Sequence, residues 1–532
     1  MYRKSQMKQY VETFNRQDEE LHVQHISNAH ALQWMEENVP LFECPDRQME
    51  EIYYFRWWVY RKHIKSTPEG YIITEFLPPV YWAGAYNSIN CAAGHHLYEG
   101  RWLKHGEQYL EDYIYFWMRG SGTVRTQSLS ERKCISGCPS GRPGEEEGTG
   151  GDVPLAEGYS TWIADAVYQY CLVKGDFSLA VELLPELIEN YRCWEKSSRH
   201  ESGLFWSVDD RDAMEYSISG NGLRPTLNSY LYADARAIAR IAERKGDTEH
   251  QKEFEAKADE IRRLVQEKLW DPQAEFFKVF PLRSKDMPVE DWSFEGIPAE
   301  KNVREEIGLI PWFFHLPDGG YEKAWLQIMD REGFLAPFGP TTAEQRHPAF
   351  LFQAEHECLW NGPSWPFATS QTLGAMANVL KDYEQDCIDP EQFHELFRIY
   401  TNSHYRKTDT GEKICWLDEN LDPFTGEWLS RKILQEQGWK EEKGGYERGK
   451  DYNHSSYCDL VISKIVGIEP QEDGSLRVRP MIPSGWDYCR LEGVRCQGKE
   501  ITVSYDKTGN RYHEGKGWKI WCDGKCIQEH PV

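Results

Sequence analysis

No apolar run in this chain of 532 residues approaches the roughly 18 that a membrane helix needs, so no segment is expected to span a bilayer. The opening, MYRKSQMKQYVETFNRQDEE, has no apolar core of the kind an export signal carries. No block is rich in Lys and Arg, and the formal charge is −25, which argues against nucleic acid and membrane as partners. The 14 cysteines form no small-domain framework. With no export signal they are expected as free thiols in a reducing cytoplasm. No fixed period repeats, which excludes a solenoid. No G-x-S-x-G elbow occurs, and His454, Ser455 and Asp459 lie too close in sequence for the usual triad geometry.

What is present is apolar and aromatic. Hydrophobic residues are 40% and charged residues 28%, the balance of a globular chain with a large core. The chain has 21 Trp and 29 Tyr, and several sit beside Gly, Asn or Pro rather than in periodic stretches. Aromatic rings in clefts suit a sugar or another flat ligand.

Apolar residues recur three and four apart through most of the chain up to about residue 465. The spacing predicts helices over 159–176, 179–196, 227–247 and 250–270, with Gly-Asp at 175–176 and 246–247 as punctuation. Further helices are expected over 46–64, 84–100, 101–118, 301–313, 319–330, 365–382, 390–405 and 453–465. About a dozen helices in pairs imply a mainly α fold, an (α/α)6 toroid whose loops at one end build a pocket. From about residue 470 the pattern changes to period 2 in SLRVRPMIP, CRLEGVRCQ, KEITVSYD and WKIWCDGK, a small C-terminal β element. The expected organisation is an N-terminal helical arm over 1–40, a catalytic domain over 41–468 and the β element over 469–532. Residues 119–156, rich in Gly, Ser and Glu, read as a surface insertion or a flap.

Two carboxylate clusters about 200 residues apart carry the chemistry. The first, DDRDAMEYSISG (209–220), holds Asp209, Asp210, Arg211, Asp212 and Glu215. Crowded carboxylates repel one another, which keeps one protonated near neutrality, as a general acid requires. The second, DENLDPFTGEW (418–428), holds Asp418, Glu419 and Asp422 in a turn-rich loop. Asp422 and Asn420 fit capping roles, whereas Glu is not a preferred cap. Between them lies WNGPSWP (360–366), where Trp360 and Trp365 offer rings and Asn361 an amide. Packing is the competing reading for both Trp. An acid, a second carboxylate and an apolar wall together are the requirements of glycosidic bond hydrolysis. The segments around Trp82, Tyr86 and Asn87 and around His454 are expected to reach the same pocket. No metal or cofactor is expected. The pair His95 and His96 points to different helix faces, and Cys134 and Cys138 lack a matching partner pair.

Over roughly residues 40–470 the chain resembles the α/α-toroid glycoside hydrolases that include glycoside hydrolase family 63, the trehalases and the mannosylglycerate hydrolases. AMEYS (213–217) is similar to that group's Gly-Met-Asp-Asn-Ser segment, and LNSYLY (227–232) to its Leu-Asn-Ser-x-Leu-Tyr helix start. WNGPSWP resembles Trp-Arg-Gly-Pro-x-Trp, and ENLDPFTG (419–426) resembles Glu-x-Tyr-x-Pro-x-Thr-Gly. The resemblance implies that Glu215 is the general acid and Glu419 the general base of an inverting, exo-acting hydrolase on a terminal, α-linked sugar. It also implies that Trp360, Asn361 and Trp365 line the sugar subsite. Trp82, Tyr86, Asn87, Asp210, Arg211, Arg224 and His454 complete the residues expected to meet substrate. The chain departs from the group in having Glu where the acid is usually Asp, which leaves Asp212 and Asp210 as alternative acids. It also has Asn361 in place of Arg, and no large N-terminal β-sandwich.

Rival readings use the same scaffold. An α-L-rhamnosidase also carries an acid-rich loop like DDRDAMEYS. A β-L-arabinofuranosidase with a cysteine nucleophile would need a zinc-bound thiolate, for which Cys358 beside Glu355 and Glu357 is a faint hint. A non-catalytic carbohydrate-binding toroid would be expected to have lost one of the two clusters. A lyase or a phosphorylase would call for Tyr, His and Arg, or a phosphate nest, in the cleft.

Overall fold

The computed structural model describes residues 2–22, 24–68, 70–83, 85–119, 158–354 and 356–530. Apart from Arg119, the expected insertion lies outside the described residues, as do Cys134, Cys138 and Glu355. All 12 cysteines among the described residues are free thiols. No helix among them is long and apolar enough to cross a membrane.

Six segments form an inner ring: Ala93–Gly100, Ile163–Lys174, Pro225–Lys245, Glu306–Phe314, Pro366–Asp382, and the closing pair Tyr457–Asp459 and Leu460–Ile465. Each touches the next, and the last touches the first, so the ring is closed. Burial separates inner from outer helices. Every residue of Ala93–Gly100 is buried, as a helix surrounded by other elements must be. In Thr248–Lys268, by contrast, only Phe254, Ala258, Ile261, Leu264 and Val265 are buried, one stripe spaced three and four apart. Gly246, with φ +78°, ends the inner helix, and the Asp247 side chain accepts the His250 amide to start the outer one. The outer helix Pro390–Ser403 opens on a capping box between Asp389 and Gln392.

The expected toroid is present, and the differences are local. The helix anticipated over 301–313 is a 3-10 segment, Glu306–Phe314, that contains Pro311 and stops at His315 with φ +54°. Proline lacks the N–H that an α-helix would use there. The segment 319–330 is likewise 3-10, over Glu322–Gln327. The helix expected over 84–100 is confined to Ala93–Gly100, because Tyr86 and Asn87 both adopt positive φ. The final inner segment widens into a π-helix over Leu460–Ile465.

The C-terminal β element is an antiparallel sheet in the order Leu41–Glu43, Tyr488–Cys496, Lys499–Asp506, Gly517–Cys522, Lys525–His530. Its first strand comes from the other end of the chain. The sheet docks on the toroid through Gln497, whose amide donates to Val173 O at 2.6 Å. Gly175, with φ +79°, permits this approach: a Cβ there would stand 2.8 Å from Gln497 Cα. At the opposite end of Ile163–Lys174, residues 158–162 lead into the ring beside the acidic turn.

Candidate active site

The first acidic cluster folds as a tight turn that sorts its own carboxylates. Asp209 accepts the Asp210 amide at 2.9 Å and the Ser217 hydroxyl at 3.2 Å, so it braces the turn from within. Asp212 is buried with Arg224, whose Nε donates to Oδ2 at 2.7 Å, and Ser160 supplies a second bond. Arg224 also holds Gly220 O at 2.6 Å. Arg211 is partly exposed, with its guanidinium over the Tyr159 ring. Ala213 and Tyr216 both adopt left-handed backbone, with φ near +57° and +60°. Two such residues flanking Glu215 place strain where the side chain is presented.

Glu215 lies on the wall of a cavity of about 1190 Å³ with Asp209, Asp210, Tyr216, Phe352 and His356. No cationic side chain pairs with it among the described residues. Its neighbour is Cys358, whose thiol donates to Oε2. Burial pushes the Glu215 carboxyl up to about 8, against the Cys358 bond and with help from the charges of Asp210 and Glu419.

The second cluster is sorted in the same way. Asp418 is consumed by the Glu419 amide at 2.8 Å and the Ser430 hydroxyl at 3.0 Å. Asp422 takes the amides of Phe424 and Thr425, a turn cap as its sequence context suggests. Glu419 is buried and meets Arg448, whose Nη2 donates to Oε2 at 3.0 Å. Burial raises Glu419 to about 7, with Arg448 opposing and Glu357 and Asp418 assisting. The charge of Glu419 is felt by Glu215, and the charges of both glutamates are felt by Cys358.

Backbone hydrogen bonds bring the three motifs together. Trp360 N donates to Glu215 O at 3.1 Å, and Ser364 and Leu421 exchange both bonds at 2.9 and 3.0 Å. Asn420 Nδ2 reaches Glu357 O at 2.8 Å. The segment 357–364 is thus pinned to both acidic turns.

The aromatic wall differs from its sequence reading in detail. Trp360 and Trp365 are buried and stack on each other at 4.4 Å, while Trp365 donates to Leu359 O. Asn361 is fully buried and spends its Nδ2 on Phe352 O. Two exposed rings line the cavity, Tyr216 and Phe352, 6.4 Å apart, with the His356 ring 5.0 Å from Tyr216. Trp82 lies near the Arg448 guanidinium, 5.7 Å from its ring centre, and Tyr86 packs edge-on to Phe116. Asn87 clasps its own loop, accepting from Val80 N and donating to Phe76 O and Pro78 O. His454 shares a hydrogen bond with Glu419 O at 3.0 Å, and burial lowers it to about 3. His95 and His96 are engaged by Ser456, Tyr113 and Asn453 O.

Several site residues escaped sequence reasoning. Arg448, Glu357 and Lys443 form one charge cluster with Glu419, and Lys443 bonds Glu357 at 2.5 Å. Burial would raise Glu357, but Arg448 and Lys443 outweigh it and hold it below the usual range. Glu75 is buried beside Cys91 and is pushed up to about 8 by burial. A lone Arg in GYERGK and a lone Glu in TEFLPP carry no local signal of their own.

Residues 85–455 match the mannosylglycerate hydrolase MGH1-like glycoside hydrolase domain, and residues 469–528 match the C-terminal domain of glycosyl hydrolase family 65. A solved structure named as a sialidase is 38% identical, with a TM-score of 0.85, over 99% of this chain and 44% of its own length. This chain therefore spans less than half of that relative. A rhamnosidase of family GH78 from Bacillus sp. GL1 shares the fold at 12% identity and a TM-score of 0.52, over 88% of this chain and 40% of its own. With the family match covering the first five segments of the helical ring and both acidic turns, the chain belongs to the MGH1-like glycoside hydrolases.

Proposed function

We propose that this protein is an exo-acting, inverting glycoside hydrolase in which Glu215 is the general acid and Glu419 the general base. The observation that carries the assignment is the contrast in their partners. Glu215 borders the cavity without an ion-pair partner among the described residues and retains its proton near neutrality, as the donor to a leaving oxygen must. Glu419 is charge-paired with Arg448, which favours the carboxylate that a base requires. In the reaction, Glu215 protonates the glycosidic oxygen as the C–O bond breaks. Glu419 takes a proton from the water that attacks the anomeric carbon on the opposite face. Asp212 and Arg224 act as the floor that holds the acid turn in shape. Tyr216, with Phe352 beside it, is the ring face offered to a sugar, and Trp360 and Trp365 support the segment from beneath.

The test is hydrolysis of aryl α- and β-glycosides and natural disaccharides by wild type, Glu215→Gln and Glu419→Gln, with the first-formed anomer read by NMR. Aryl sialosides belong in the panel because the 38% identical relative is named a sialidase. Inverted product, lost in both variants, supports the assignment. Wild-type rates in either variant would overturn that residue's role.

A further inference from the structure

Glu215 has beside it two side chains that hydrolysis does not need, one of which, His356, also lines the cavity. A carboxylate oxygen of Glu215, a ring nitrogen of His356 and Cys358 Sγ all lie within 4.8 Å of one another. Tetrahedral zinc, with bonds of about 2.0–2.3 Å, sets its ligand atoms roughly 3.4–3.8 Å apart. Small side-chain rotations therefore suffice to close the set. His356 Nε2 is buried with no hydrogen-bond partner, while its Nδ1 faces Glu357 Oε2 at 3.8 Å. A carboxylate beside the far ring nitrogen is the usual orienting partner of a metal-bound histidine. The loop is also fixed in advance. Glu357 O and Trp360 N, on either side of Cys358, are bonded to Asn420 and to Glu215 O. Thiolate with imidazole selects a soft or borderline cation such as zinc over magnesium or calcium.

We propose that Glu215, His356 and Cys358 form a binding site for Zn²⁺ or a similar thiophilic divalent cation, and that its occupancy switches the enzyme off. Three protein ligands leave the fourth position to water on the cavity side. On binding, the Cys358 thiol and the Glu215 carboxyl each release a proton to solvent, and both become ligands. Glu215, held as a carboxylate by the cation, then has no proton to give to the leaving group. The inhibitory half of the proposal rests on Glu215 as the acid; the site itself does not.

The test is titration of metal-free protein with Zn²⁺ by calorimetry and with Co²⁺ by absorption, where a bound thiolate gives a charge-transfer band. Wild type is compared with Cys358→Ser, His356→Ala and, as a control away from the site, Cys387→Ser, with folding checked by circular dichroism. One equivalent bound, the cobalt–thiolate band lost in Cys358→Ser, and affinity weakened at least tenfold in His356→Ala but unchanged in Cys387→Ser are the expected results. His356 is partly exposed, so its variant remains informative if Cys358→Ser misfolds. No stoichiometric binding, or binding indifferent to both substitutions, overturns the site. Hydrolysis is then followed against Zn²⁺, with a chelator to reverse it. Binding without loss of activity overturns the switch. Because metal binding is read without substrate, its failure is separate from any failure of the acid/base assignment.

Discussion

Glu215 and Glu419 are the same residue type, near enough that the charge of Glu419 acts on Glu215, yet their surroundings differ in one respect on which the proposed division of roles rests. Glu419 is buried and Glu215 partly so, and desolvation raises both. Glu419 has Arg448 at 3.0 Å; among the described residues the side-chain partner of Glu215 is a thiol. Desolvation alone makes a carboxyl an acid, and desolvation offset by a guanidinium makes it a base. Asp212, three residues before Glu215, adds the limiting case. With Arg224 and Ser160 on its two oxygens and no exposure, it is part of the floor. On the proposed assignment, proximity to the cavity and the lack of a paired cation among the described residues, rather than the density of acidic residues, single out Glu215 as the acid.

The largest effect should come from removing either glutamate. Positioned acid or base catalysis contributes about 10²–10⁴-fold, so Glu215→Gln and Glu419→Gln should each lower kcat by that order. An aryl glycoside with a good leaving group sharpens the comparison. It needs little protonation, so it should recover much of the rate in Glu215→Gln and none in Glu419→Gln. Equal losses on that substrate would break the division of roles. Next comes Arg224→Met, which strands Asp212 and Glu305 without their cation. Losing one partner of a buried pair costs about 3–5 kcal/mol, read as a lower midpoint in urea denaturation.

Arg448 tests the other side of the comparison. The base must be deprotonated, so activity should rise with pH through about 7, and the acid must be protonated, so it should fall through about 8. The result is a narrow bell in kcat/KM. Arg448→Met should move the rising limb to higher pH and cut the neutral rate by about tenfold, the effect of roughly one pKa unit. Arg448→Lys, which keeps the charge, should restore part of it. A rising limb that does not move would separate Arg448 from the base.

The toroid was legible because its outer helices repeat apolar residues on one stripe and its inner helices do so all round. The exceptions are equally physical. Pro311 and the positive φ of Tyr86 and Asn87 shortened or tightened segments whose composition alone reads as α-helix. At the site, the three motifs were visible because their carboxylates and tryptophans cluster in sequence. Arg448 and Glu75 were not, and Glu357 drew notice only as a neighbour of Cys358, since each is a single residue whose importance arises only when distant loops meet. The tryptophans show the reverse failure. Trp360 and Trp365 stand out in sequence, but an indole between Gly and Pro looks the same whether it faces a ligand or another indole.

That ambiguity leads to the smallest expected effect. Tyr216 is 46% exposed, and its backbone at φ +60° adjoins the acid. If a sugar rests on it, Tyr216→Ala removes contact made equally in ground and transition states, and KM should rise with kcat little changed. A stacking contact of about 1 kcal/mol corresponds to roughly fivefold in KM. Tyr216→Phe should be close to wild type if the ring face is what matters. Trp360→Phe, by contrast, should lower stability before it alters KM, because its ring is buried in a stack with Trp365. A fall in kcat for Tyr216→Ala with KM intact would mean that the residue holds Glu215 in place rather than the sugar, and would move it from the mouth of the site to the acid turn.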